Sequence, residues 1–304
     1  MTQMADKVAI ITGGGSGMGR ASSVLFAQED AAVAVADLNE DGGQQTVAMI
    51  ERAGGRASFI HTDTGDESSI NQLLEQTAAT YGRVDVMVTA AGISYSNFME
   101  QDEATDPWRN PGEGLILNKS TERWQKVLDA NLTGVMICAR EAARQMIAEK
   151  HGGTIVNFAS IAGYSPAPTI ADYCVSKAGV VMLTKCLAAE FGRSAIRVNA
   201  VAPGPIETGM TQSLMDGRLQ KQAKALPLGR IAQPEEVASV VLFLSTGDRA
   251  ISQARPLVLM VARIRFDTDA SALRVKWLQV QSLPSRPIPD ILFFTPSSSE
   301  EVQS

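Results

Sequence analysis

Short apolar runs rich in β-branched residues recur along the chain, and segments of helical period lie between them. KVAIIT (7–12), AVAVA (32–36), ASFIHT (57–62), VDVMVT (84–89), TIVNFA (154–159) and RVNAVA (197–202) read as buried strands. Residues 66–81, 121–150, 173–191 and 234–244 read as helices, the last with Pro234 at its first position. Such alternation leaves parallel strands joined by crossover helices as the natural solution. The fold class it implies is α/β, a doubly wound, mostly parallel sheet with helices on both faces.

The first strand runs straight into GGGSGMGR at 13–20 and then into a helix. Glycines placed there let backbone N–H groups reach a pyrophosphate at the positive end of that helix. Thr12, Gly13, Gly17 and Gly19 set a T-G-x-x-x-G-x-G spacing, which points to a Rossmann-type dinucleotide site. The second strand ends at Asp37, placed to accept hydrogen bonds from an adenosine ribose and to repel a 2′-phosphate. Leu38 and Asn39 bring no positive charge, so NAD is expected over NADP. The other reading of Asp37 is a cap for the next helix. Asp63 and the Ala90-Ala91-Gly92 turn follow the third and fourth strands, at the sheet edge where such folds bind ligands.

A net charge of −6, with no Lys/Arg cluster, argues against a nucleic-acid surface. Three cysteines and two histidines without paired spacing suggest neither a disulfide framework nor a metal site. The N-terminus carries no long apolar stretch, and charges interrupt the longest apolar runs, so neither a secretion signal nor a membrane span is expected. The expected location is the cytoplasm.

Residues 160–177, SIAGYSPAPTIADYCVSK, place a hydroxyl (Ser160), a phenol (Tyr173) and an ammonium (Lys177) in one stretch. On a helix Tyr173 and Lys177 share a face one turn apart. A cation there is expected to lower the phenol pKa and fit it for proton exchange near neutral pH. The plainer reading is a helix that carries a Tyr and a surface Lys. Residues 94–120 form a long polar loop of the kind that lines binding sites, with Trp108 and Arg109 its most contact-prone members. Asn131 falls inside a helix that is apolar on two sides, a mildly unfavourable place for Asn, so it either points to solvent or has a task.

Taken together, these motifs and their order resemble the short-chain dehydrogenase/reductase family over residues 5–247. The matching elements are the glycine motif at 12–19, Asp63, Ala91-Gly92, Asn131, Ser160, Tyr173-x-x-x-Lys177 and P-G-x-I-x-T at 203–208. The resemblance implies a hydride transfer between nicotinamide and a secondary alcohol or ketone. It makes Tyr173 the general acid/base and Ser160 the donor to the substrate oxygen. Lys177 would hold the nicotinamide ribose, and Asn131 would fix a water relaying protons to Lys177. The cofactor set it implies is Gly13, Ser16, Gly17, Met18, Gly19, Asp37, Asp63, Thr64, Ala90, Gly92, Tyr173, Lys177, Pro203, Gly204, Ile206 and Thr208. A homodimer or homotetramer is expected, built on the helices at 121–150 and 173–191. A reading from another class is a cofactor-binding but catalytically impaired protein with a structural or partner role.

Four features depart from the family pattern. Thr89-Ala90-Ala91-Gly92 stands for N-N-A-G, Asp30 stands where a helix-ending glycine is common, and the 94–120 loop is long. The fourth is the C-terminus. The family's S-Y-I-T-G, then five residues, then D-G-G, is absent, and residues 248–304 form an atypical tail after a 1–247 domain. Joining the third base of each codon to the first two of the next, from Arg249 onward, permits S-Y-I-T-G. Five codons later Leu259-Met260 permits Asp, Met260-Val261 forces Gly and Val261-Ala262 permits Gly. We therefore read the tail as an out-of-frame rendering of the family's C-terminus. The alternative is a specialised tail in which 256–261, PLVLMV, substitutes for the last strand. By its Pro- and Ser-rich composition, 281–304 is expected to be disordered. Sequencing the encoding DNA checks the frame: a single-base shift near codon 247 should restore the motif, and its failure to do so removes the idea.

Overall fold

The computed structural model describes residues 2–94, 114–209, 223, 229–246 and 258–260. Seven strands form one sheet: β1 (Val8–Thr12), β2 (Ala32–Asp37), β3 (Arg56–His61), β4 (Val86–Thr89), β5 (Gly153–Phe158), β6 (Ile196–Ala202) and β7 (Val258–Met260). Their order is β3-β2-β1-β4-β5-β6-β7, and each neighbouring pair is parallel. The α/β expectation holds. β1 pairs with β2 on one side and β4 on the other, so the chain's direction of winding reverses there. Crossover loops diverge at that reversal and open a crevice at the strands' carboxyl ends.

The helices are α1 (Gly17–Gln28), α2 (Glu40–Arg52), α3 (Glu67–Tyr81), α4 (Thr121–Leu128), α5 (Gly134–Ala148), α6 (Ala171–Phe191) and α7 (Pro234–Thr246). A π-helical turn, Asp129–Thr133, joins α4 to α5. Successive strand residues face opposite sides of the sheet and so feed two cores. Ile11, Val33, Val35 and Val156 pack with Phe26 of α1 and Val241 of α7. Ile10, Ala34, Met87 and Ile155 pack with Leu73 of α3 and Met146 of α5. Complete burial of β1 explains its continuous apolar run.

Two local devices set boundaries. Asp85 is buried outside β4: its carboxylate accepts the Val8 N–H at 3.0 Å and pairs with Lys7 and Arg83, so β4 begins later than the apolar run. Asp30 adopts φ +69°, the left-handed conformation that the missing glycine would have filled. A buried polar chain also crosses the core. Thr89 Oγ1 donates to Asn157 Oδ1 at 2.9 Å, and Asn157 Nδ2 donates to Thr184 Oγ1 at 3.0 Å. Thr89 thus keeps a side-chain hydrogen bond despite the altered N-N-A-G.

β7 runs beside β6 with Ala200 opposite Val258 and Ala202 opposite Met260. It is three residues long, within the stretch read as a substitute strand. The rest of the tail, including 281–304, lies outside the described residues, as do Trp108, Arg109 and nearly all of 210–228.

Candidate active site

The glycine turn is built for close approach. Gly13 has φ +66°, and a Cβ on it would stand 2.8 Å from the Ala91 backbone nitrogen. A Cβ on Gly19 would meet the Gly13 carbonyl oxygen at 2.0 Å. Only glycine lets the turn, the Ala90–Gly92 segment and the start of α1 come this near. Ser16 precedes α1 without spending its hydroxyl on a cap, and no acidic residue sits in the first turn. The N–H groups of Gly17, Met18 and Gly19 therefore remain suited to an anion. Thr208 flanks Gly17, with its Cγ2 3.2 Å from where a Gly17 Cβ would lie.

Asp37 Oδ2 accepts the Gly15 N–H at 2.8 Å and Oδ1 accepts the Asn39 N–H at 2.8 Å. The cap of α2 is Asn39, whose side chain accepts the Gly42 N–H, so Asp37 is not the helix cap. Asp63 is exposed at the end of β3 and receives the Gly65 N–H at 2.8 Å. Thr64 packs its carbonyl on Gly134, where a Cβ would intrude to 2.0 Å. Pro203 accepts the Ile161 N–H at 3.1 Å, and Ile206 forms a bridge to Ala232, which fixes the 203–208 turn beside the loop after β5. These residues fit a dinucleotide: a side-chain-free cradle for phosphates, with carboxylates at the adenosine end.

At the carboxyl end of β5, Ser160 lies close enough to the Tyr173 phenol to favour its ionised form, and its Oγ accepts the Ala162 N–H at 3.2 Å. Lys177 Nζ lies 5.6 Å from the centre of the Tyr173 ring and donates to the Phe158 carbonyl at 2.8 Å. Ser160, Tyr173 and Lys177 thus lie together at the carboxyl end of β5. The electrostatics correct one expectation. Burial pushes the Tyr173 phenol above its ordinary value, against the smaller lowering from Ser160. Burial also brings the Lys177 ammonium down to about 8. In the protein alone, desolvation therefore dominates both groups, and Lys177 is not among the causes that move the phenol.

Asn131 lies in the π-helical turn, fully buried. Its Oδ1 accepts the Ile93 N–H at 2.8 Å, and its Nδ2 donates to the Ile93 carbonyl at 2.9 Å and to Ser176 Oγ at 3.3 Å. The widened turn is what seats an Asn mid-helix, a common use of π-bulges near sites. Ser176 Oγ in turn donates to the Tyr173 carbonyl at 2.8 Å. Sequence reasoning passed over Ser176, Asn157 and Asp172. Only the flanking of Tyr173 by Asp172 and Ser176 could have marked them. Lys119, at the end of a polar loop, carried no signal.

The profile of the short chain dehydrogenase family matches residues 7–219. The 3-oxoacyl-(acyl-carrier-protein) reductase FabG of Thermotoga maritima is 36% identical over 242 residues, covering 80% of this chain and 91% of that protein. Cyclopentanol dehydrogenase of Comamonas sp. is 36% identical over 261 residues, covering 85% of this chain and 97% of that protein. A solved structure of a Beutenbergia cavernae protein with bound NADP (low occupancy) is 32% identical, with a TM-score of 0.74 over 85% of this chain and 96% of that one.

The buried lysine makes a pH prediction. Its folded value is about 8 against an ordinary 10.5. Between those values the unfolded chain holds the proton and the folded chain does not, so stability rises with pH. Across the whole interval the gain is about 3 kcal/mol. The buried Cys138 thiol, pushed from 9.0 up to about 12, acts in the opposite sense above pH ~9, and the raised Tyr173 does so above pH ~10, so the rise from Lys177 is partly offset. Urea melts without cofactor should show a higher midpoint at pH 9.5 than at pH 7.5, and Lys177→Met should flatten that rise. A midpoint that falls over this range contradicts the burial of a titrating Lys177.

Proposed function

The chain belongs to the short chain dehydrogenase family, an oxidoreductase family, and on that premise we propose an NAD-dependent alcohol dehydrogenase or carbonyl reductase acting on a secondary alcohol or ketone. The observation that carries this reading is the convergence of Ser160, Tyr173 and Lys177 at the strand ends beside the glycine cradle.

Nicotinamide, when bound, supplies the hydride acceptor or donor. Tyr173 takes the proton from the alcohol oxygen, or returns it to the ketone oxygen, while the Ser160 hydroxyl orients that oxygen. Lys177 holds the nicotinamide ribose and offers its positive charge to the phenolate. A phenol raised by burial needs that charge, so the lysine must stay protonated during turnover. Asn131 supports a water on the route to Lys177. Gly92 packs closely here: a Cβ on it would lie 3.1 Å from Asn131 Oδ1 and 3.5 Å from Lys177 Nζ. Ile206 and Thr208 serve the nicotinamide amide, and Asp63 and Thr64 the adenine. Asp37 favours NAD, because its carboxylate stands where a 2′-phosphate would add like charge. The NADP in the Beutenbergia structure belongs to that protein.

The missing C-terminal family motif favours the second reading, a cofactor-binding protein with impaired turnover. Tyr173→Phe separates the two. It should abolish turnover, at least a thousandfold on kcat for loss of an acid/base group, while NADH affinity stays within about threefold. Cyclopentanol with NAD and a 3-oxoacyl thioester with NADH open the substrate panel. An unchanged rate in the variant would defeat the enzyme reading.

Exposed apolar side chains on α5 and α6, Ile147, Val175 and Met182, support a homodimer or homotetramer. Light scattering at micromolar concentration should give a multiple of the 32.4 kDa chain mass, and a monomer would count against it. Among the described residues no helix is long and apolar enough to cross a membrane. The free Cys138, Cys174 and Cys186 fit a reducing cytoplasm, which fractionation of a cell lysate checks.

A further inference from the structure

Beside the acid/base group lies an ion pair that the reaction as described does not use. Lys119 Nζ stands 2.6 Å from Asp172 Oδ2, and the two side chains are 2% and 1% exposed. The pair spans 53 residues of chain and joins the start of α4 to the start of α6. Each end is tied into its own backbone. Lys119 closes a turn through its N–H to the Leu115 carbonyl at 3.0 Å, and the next residue, Ser120, caps α4 by accepting the Arg123 N–H. Asp172 Oδ1 accepts the Tyr173 N–H at 2.9 Å. Lys119 also donates to the Thr169 carbonyl at 3.4 Å. Thr169 is a buried, β-branched residue held at φ +70°, a conformation that persists only where its surroundings enforce it.

A buried charge pair is a poor way to stabilise a fold, since well-packed apolar residues commonly do as well. Its use here is geometric. The Tyr173 backbone is gripped by Asp172 at the N–H and by Ser176 at the carbonyl, and Asp172 is anchored to a separate element. We propose that Lys119 and Asp172 are positioning residues: their ion pair locks the strained turn at Thr169 and the first turn of α6, and so holds the Tyr173 phenol against Ser160. The residues preceding Lys119 belong to the long loop after β4, which makes the end of that loop part of the support of the acid/base group. The groups about the phenol are Ser160 from the end of β5, Cys174 and Lys177 on α6, Asp172 one residue back, and Lys119 beyond it. The proposal rests on the reading of Tyr173 as the acid/base.

The test uses full-length protein carrying tyrosine labelled with 13C at the ring carbon bonded to oxygen. The chain has four tyrosines, and Tyr173→Phe assigns the resonance. The variant is Lys119→Met with Asp172→Asn, which removes the pair without stranding a charge. At pH 7 its Tyr173 resonance should move or split, while NADH affinity stays within about threefold of wild type. Where the wild-type chain turns over, kcat should fall about tenfold. An unmoved resonance overturns the proposal, even if the variant melts earlier, since the pair is then only a strut. A moved resonance with wild-type kcat overturns it as well. If the double variant does not fold, Lys119→Arg keeps the charge but alters the strap, and wild-type resonance and kcat there overturn the proposal. The resonance is read without substrate, so a wild-type chain lacking turnover counts against the enzyme reading and leaves this test standing.

Discussion

The parallel pairing of β1 with β2 and with β4 is the constraint on which the rest depends. It sends the loop after β1 and the loop after β4 away from the same edge, and the crevice between them is where a single ligand can meet both. The glycine turn, Asp37, Gly92 and Ser160 all occupy carboxyl ends of strands in this sheet. The close contact of Gly13 with Ala91 holds that edge together, and it requires a residue without a side chain. Burial then sets the chemistry. Lys177 reaches the site through the interior, with its ammonium on the Phe158 carbonyl, and gives up part of its basicity to do so.

Much of this was legible in the sequence, because the same physics writes both. A strand buried on two faces must be a continuous apolar run, and a turn that touches backbone must be glycine. Helical period brings Tyr173 and Lys177 onto one face, and strand ends bring Ser160 to them. What the sequence hid falls into two kinds. Strand limits depended on long-range partners, as when Asp85 binds the start of β1 and so leaves β4. Supporting polar residues depended on tertiary neighbours. Asn157 looks like any polar residue in a strand until Thr89 and Thr184 are seen on either side of it. Lys119 looks like a solvated loop lysine until its partner proves to be a buried carboxylate 53 positions away. The direction of the Tyr173 shift was misjudged for a similar reason. Spacing reports that a cation is near, but not that both groups have been taken out of water.

The end of the chain sets the other condition on function. β7 pairs with β6, and β6 leads into the 203–208 turn at the carboxyl edge of the sheet. Cofactor affinity is the more direct gauge of whether the site is formed.

The measurement that tests the account most directly is a thermal melt of the full chain with and without NADH, repeated with NADPH. A site of the kind described binds only the folded chain, so NADH at about a hundredfold excess over its Kd adds roughly 2.7 kcal/mol and shifts a cooperative transition upward. On the proposed role of Asp37, the NADPH shift should be the smaller one. A transition that neither dinucleotide moves, or the absence of any cooperative transition, would contradict the existence of a formed dinucleotide site on which every functional assignment here depends.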